Sequence, residues 1–209
     1  PTEDPRPDVV ALQDLTTPTV LTGITPEDVA RGIGDHFRQR GVYSIVSIEP
    51  GRLFTTFKLW QKPDGGKELT EEIKKLSAPS EAMKGMLRQL VAAVQKEPGL
   101  LGYYLADEPE INDARSDWME ACYQFMQEID PYHPVMVTND TLDGIVTHGY
   151  KTCDLLSPDP YSPAWEYVPN FMKRCQEVMR PGQAIMMTPW ASSSETHFNV
   201  EFGKDGPYP

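Results

Sequence analysis

Residues 99–110 read GLLGYYLADEPE. The run 100–106 is short, apolar and aromatic, which marks a strand, and Pro109 turns the chain out of it. Strand side chains alternate between two faces. If Glu108 points to one face, Gly102, Tyr104 and Ala106 share it, while Tyr103, Leu105 and Asp107 point toward surrounding helices. Two small residues beneath a tyrosine leave room for a carboxyl group and a ligand. A Glu with raised proton affinity in such a place can deliver a proton to a poor leaving oxygen. The plainer reading is that Asp107 and Glu108 begin the following helix, whose N-terminus attracts acids. Spacing alone leaves both open.

Working outward, the same alternation of strand and helix continues on both sides. Strand-like runs occur at 8–13 (DVVALQ), 42–48 (VYSIVSI), 135–138 (VMVT), 154–157 (DLLS) and 184–188 (AIMMT). A helix starts at Thr25-Pro26, an N-cap followed by a proline suited to the first turn, and ends at Gly41. Further helical patterns cover 70–76, 81–96, 114–128 and 165–179, with a short helix or turn at 141–150. In 114–128 and just beyond it, Trp118, Cys122, Phe125, Met126 and Ile129 have the spacing of a core stripe. Residues 1–8 form a loose proline-rich arm. Residues 50–68 form a long loop holding Phe54, Phe57, Trp60 and Gly65-Gly66, of the kind that is often functional. Strands joined by helices pair in parallel, so 42–48, 100–106, 135–138, 154–157 and 184–188 are expected as parallel neighbours in that order.

An open doubly wound sheet and a barrel both fit this alternation. The open sheet usually carries a glycine-rich phosphate loop after its first strand, and no GxGxxG or GxxxxGK[ST] is present. Polar and aromatic residues gather instead after several strands: Glu49, Asp107-Glu108, Asn139-Asp140, Asp159 with Tyr161, and Trp190. That is the distribution of a barrel's functional rim.

Composition narrows the partners. The 209 residues carry 19 basic and 31 acidic side chains, a net charge of −12. Phosphate binding needs clustered Lys and Arg, so nucleic acid and anionic membrane surfaces are disfavoured and neutral sugars remain compatible. No stretch approaches the roughly 18 apolar residues of a membrane span. The opening PTEDPRPD is polar and proline-rich, so no targeting segment is expected there. Cys122, Cys153 and Cys175 lack zinc-site spacing, and buried free thiols are their default. His36, His133, His148 and His197 are scattered, so no metal site is expected.

The run GLLGYYLADEPE, followed by EIDPYHPVMVTND at 128–140 and CDLLSPDPY at 153–161, resembles the fourth to sixth strands of the large glycoside hydrolase clan with (β/α)8 barrels. The resemblance covers about residues 98–190. It implies that Glu108, in the (Asn/Asp)-Glu-Pro phrase after the fourth strand, is the acid/base. The Asp130-Pro131 and Pro134-Val135 phrase corresponds to the turn into the fifth strand. Asp159-Pro160-Tyr161 corresponds to the sixth-strand end, where a tyrosine lines the sugar site. The expectation is hydrolysis of O-glycosidic bonds with carbohydrate as partner, no cofactor, and an extracellular or secreted location. Tyr104, Asn139, Asp159, Tyr161 and Trp190 are the candidate sugar contacts, with Trp165 a further aromatic whose face could stack on a pyranose ring.

Two departures matter. The clan's nucleophile is a Glu at the end of the seventh strand, whereas this strand ends Thr188-Pro189-Trp190-Ala191. Glu195, Glu201 and Asp159 remain as second carboxylates, which a retaining enzyme holds about 5–5.5 Å from the acid and an inverting one about 6.5–9.5 Å. A full barrel also takes about 250 residues, and the first and eighth strands are not evident. The expected architecture is therefore one partial TIM-barrel-like domain over 1–209, a piece of a longer protein whose other segments or chains complete it. A non-catalytic carbohydrate-binding or structural protein that keeps a degenerate barrel is the alternative. A barrel enzyme acting on another substrate class also survives, because fold does not fix function.

Overall fold

The computed structural model describes residues 30–50, 73–112, 114–159 and 167–188. The expected strand at 8–13, the loop at 51–68 and the helix start at Thr25 lie outside these residues. Five strands form one parallel sheet: β1 (Ser44–Ser47), β2 (Leu100–Asp107), β3 (Val135–Asn139), β4 (Leu155–Pro158) and β5 (Ala184–Ile185). They lie in the order β1-β2-β3-β4-β5, every neighbouring pair parallel. The chain is thus α/β, with the strand order expected from its alternation. Past β5 the ladder continues, with the Met186 and Thr188 N–H groups donating to the Leu156 and Pro158 carbonyls. A doubly wound sheet reverses its strand order at a switch point, and no reversal occurs among the described strands.

Helices fill the crossovers. Helix α1 (Glu81–Val94) joins β1 to β2, α2 (Ser116–Ile129) joins β2 to β3, and α3 (Tyr167–Val178) joins β4 to β5. Between β3 and β4 the chain winds through Leu142–Gly144, a π-helical Ile145–Gly149 and Tyr150–Thr152. Ser80 caps α1 by accepting from the Met83 N–H at 3.3 Å, which satisfies one of the donors a helix start leaves open. Met83, Leu87, Leu90, Val91 and Val94 then form its buried stripe, at the spacing of one helix face. Helix α2 buries Trp118, Met119, Cys122, Phe125 and Met126. Facing them from the sheet are Val46, Ile48, Tyr103, Leu105, Val135, Val137 and Leu156, all in one core. Burial of each large side chain there contributes about 1.5–3 kcal/mol. All three cysteines are buried free thiols, and burial pushes the Cys153 and Cys175 thiols up to about 12 and about 11.

Two carboxylates knit the ends where the strands begin. Buried Asp130 accepts from the Tyr103 hydroxyl at 2.7 Å and from the backbone N–H groups of Tyr132 and His133, with the His133 ring 2.9 Å away. Burial pushes the Asp130 carboxyl up, but those hydrogen bonds together hold it below the usual aspartate value. Asp154 accepts from the Tyr123 hydroxyl, the Gln127 amide and the Val135 N–H. Arg180 ties Tyr123 to the Cys153 carbonyl. These networks lie at the opposite end of the sheet from the C-terminal strand ends, where α/β sheets place their ligands.

Strand β2 departs from simple alternation. Tyr104 pairs with Met136 and Ala106 with Val137, so β2 carries one residue more than β3 across that step. Such a bulge shifts the phase of everything after it. Asp107 therefore aligns with Thr138 and returns to the face of Tyr104, whose hydroxyl donates to it at 2.5 Å. The alternation expected to send Asp107 toward the helices is interrupted by the bulge. Gly102 has a different reason from the one its sequence suggests. A Cβ there would run into the Pro134 carbonyl, so the glycine lets the turn before β3 approach β2 and does not hold space for a ligand.

Candidate functional site

The sheet face turned away from the core forms one wall of a cavity of about 530 Å³, lined by Ile45, Ser47, Tyr104, Asp107, Met136, Thr138, Asp159 and Thr188 among others. The register explains this company. Ser47, Tyr104, Met136 and Leu155 are cross-strand partners, and one step toward the strand ends Asp107, Thr138 and Ser157 form the next row. Ile45 and Met136 thus lie toward the strand starts, with Asp107, Thr138 and Asp159 toward the strand ends. The Ser157 and Thr188 hydroxyls are 2.8 Å apart, and Ser47 donates to Glu49 at 3.0 Å. Burial, the hydrogen bond to Asp107, and the charges of Asp107 and Glu49 hold the Tyr104 hydroxyl far above its ordinary value, with a smaller opposing effect of Thr138. These effects favour the neutral phenol, whose proton goes to Asp107.

Glu108 follows immediately. Its N–H extends the ladder to the Thr138 carbonyl at 3.0 Å, and its backbone then enters the left-handed region with φ 42°. It is the one described residue other than glycine that does so. That conformation is costly for a residue with a Cβ, and such strain concentrates where a side chain must be aimed. Asn112 holds the turn, its amide donating to the Asp107 and Glu108 carbonyls at 3.1 Å each. The Glu108 carboxyl is pushed up first by burial and then by the negative charges of Asp107, Asp140, Asp159 and Glu110. Desolvation and like charges both favour the neutral acid.

The expected contacts divide into three groups. Tyr104 and Asp159 line the cavity with Asp107, whereas Glu108, next in the chain, is not among its lining residues. Asn139 does not line it: its fully buried side chain donates to Glu110 at 2.8 Å, and its Oδ1, without a hydrogen-bond partner, lies where a Cβ on Gly149 would be 3.0 Å away. Tyr161, Trp190, Trp165, Glu195 and Glu201 lie outside the described residues. Neither Thr138 nor the part played by Glu110 is legible from sequence, because both depend on the strand register and on a neighbouring loop. His148 is occupied structurally, between the Thr147 hydroxyl and the Ala114 carbonyl.

Among the described residues no group of three or more His, Cys, Asp or Glu side chains is placed to hold a metal ion, and no helix is long and apolar enough to cross a membrane. No model of a known protein family matches the chain, and no curated protein sequence matches it significantly.

Proposed function

We propose that this chain is the core of a (β/α)-barrel that binds carbohydrate and hydrolyses O-glycosidic bonds, with Glu108 as general acid/base. The observation that carries the reading is the left-handed Glu108 backbone at the C-terminal ends of parallel strands. A helix-start carboxylate needs no such strain, whereas a proton donor aimed at a substrate can justify it. A protonated Glu108 gives its proton to the departing glycosidic oxygen while a second carboxylate, for which Asp159 is the candidate among the described residues, takes a proton from the water that bonds to the anomeric carbon. The Tyr104 hydroxyl, its proton already donated to Asp107, offers a sugar's hydroxyl groups a phenol oxygen as acceptor beside the carboxylates of Asp107 and Asp159, over the apolar surface of Ile45 and Met136. The unreversed strand order supports a barrel arc.

One observation favours a second reading. Thr188, joined to Ser157, closes the ladder beyond β5, the strand that answers to the clan's seventh, whose end carries the nucleophile there. A carbohydrate-binding protein that has lost turnover would look the same there. Calorimetric titration of neutral oligosaccharides into wild type and Glu108→Gln, beside an assay of reducing ends, separates the two. Hydrolysis by wild type only, with binding kept in Glu108→Gln, supports the enzyme. Binding without hydrolysis by either protein supports the second reading, and neither binding nor hydrolysis contradicts both.

A further inference from the structure

We propose that Glu110 is the positioning residue of this site, its carboxylate clasping the loop after β3 to the loop after β2 so that the Glu108 carboxyl is held in place. The inference rests on the reading of Glu108 as the acid. Glu110 Oε1 accepts from the Asp140 N–H at 3.0 Å, the Thr141 N–H at 3.1 Å and the Thr141 hydroxyl at 3.3 Å. Its Oε2 accepts from the Asn139 amide at 2.8 Å. One carboxylate thus engages three consecutive residues of the neighbouring loop, and hydrogen bonds to a charged acceptor are among the stronger ones. The fit is close, since a Cβ on Gly144 would overlap the Glu110 carboxylate. Only Pro109 separates Glu110 from Glu108, and proline's fixed φ makes that link stiff. Asn112 closes the other side of the turn.

The clasp has an electrostatic consequence for the acid. The groups that face Glu108 are Asp107 on its own strand, Asp140 after β3, Asp159 after β4, and Glu110 itself, all negative. Glu110 therefore acts on Glu108 twice, by adding a like charge and by holding Asp140 near. The charge of Glu110 reaches Glu108 whatever else Glu110 does, so positioning is read from the loss of kcat/KM in Glu110→Ala beyond that in Glu110→Gln.

The test is a carbon-13 NMR titration of the Glu108 carboxyl in the full protein and in Glu110→Gln and Glu110→Ala, beside pH profiles of kcat/KM on an aryl glycoside. In Glu110→Gln the amide oxygen can still accept from Asp140 and Thr141, and its NH2 can donate to a reoriented Asn139, whose Oδ1 has no hydrogen-bond partner at present. That variant should keep its fold, with the Glu108 midpoint and the alkaline limb of the profile both moved to lower pH. In Glu110→Ala the midpoint should move the same way, and misplacement of the acid should lower kcat/KM by up to about 100-fold. An unchanged Glu108 midpoint in Glu110→Gln overturns the proposal, and that variant decides if Glu110→Ala does not fold. Shifted midpoints in a wild type that cleaves no glycoside support the clasp and count only against the hydrolase reading.

Discussion

Replacing Glu108 with glycine should make the protein more stable, not less. The left-handed backbone costs a residue with a Cβ about 1–2 kcal/mol, and φ 42° places Glu108 in that region. Glycine adopts it freely but has more unfolded-state freedom to lose, roughly 0.5–1 kcal/mol. The balance is a gain of about 0–1.5 kcal/mol, centred near 0.75, before charge is considered. Charge acts in the same direction. The folded protein raises the proton affinity of Glu108, so the stability this group contributes is full below its unfolded value and is lost as pH rises through the folded one. At neutral pH the ionised Glu108 therefore opposes folding, and removing it relieves that as well. Urea unfolding at pH 7 and pH 4 measures both parts. Glu108→Gly should be more stable at each pH, with the larger gain at pH 7 and a rise in Tm of roughly 1–4 °C. Glu108→Gln keeps the Cβ and should gain only the part that varies with pH. If Glu108→Gly is destabilised by about 1 kcal/mol or more, the turn is not strained and the argument from strain to function fails.

Tyr103→Phe should cost about 1.5–3 kcal/mol at neutral pH, because it removes a hydroxyl donated to a buried carboxylate. The folded state holds Asp130 below its ordinary value, so that stability is present above the unfolded value and lost as pH falls through the folded one. The gap between variant and wild type in denaturant midpoints should therefore narrow on acidification. Gly102→Ala should cost about 1–3 kcal/mol, since the obstacle its Cβ meets is the Pro134 backbone. A neutral result in thermal unfolding would show that the turn before β3 can retreat.

The strands were legible because each is a short β-branched or aromatic run between breakers, and because helices between them force parallel pairing. The stripe through Trp118, Cys122, Phe125 and Met126 was legible from helical spacing alone. The faces of β2 were not, because the bulge between Tyr104 and Ala106 depends on how β2 meets β3. Without it Asp107 reads as a helix-side residue, and with it Asp107 joins Tyr104. Gly102 read as space for a ligand because a sequence does not show the Pro134 carbonyl beside it. Glu110 was invisible as a clasp for the same reason: its partners Asn139, Asp140 and Thr141 lie some thirty residues away along the chain. Only tertiary contact turns its charge into a fixed point.

If Glu108 donates a proton to the leaving oxygen, the loss on removing it depends on the leaving group. A departing alkoxide needs that proton, whereas a nitrophenolate departs almost without it. In kcat/KM measured on alkyl and nitrophenyl glycosides of one sugar, Glu108→Gln should lose about 100- to 10,000-fold on the alkyl substrate and far less on the nitrophenyl one. Equal losses on the two substrates, or glycoside cleavage that Glu108→Gln leaves untouched, would contradict the account.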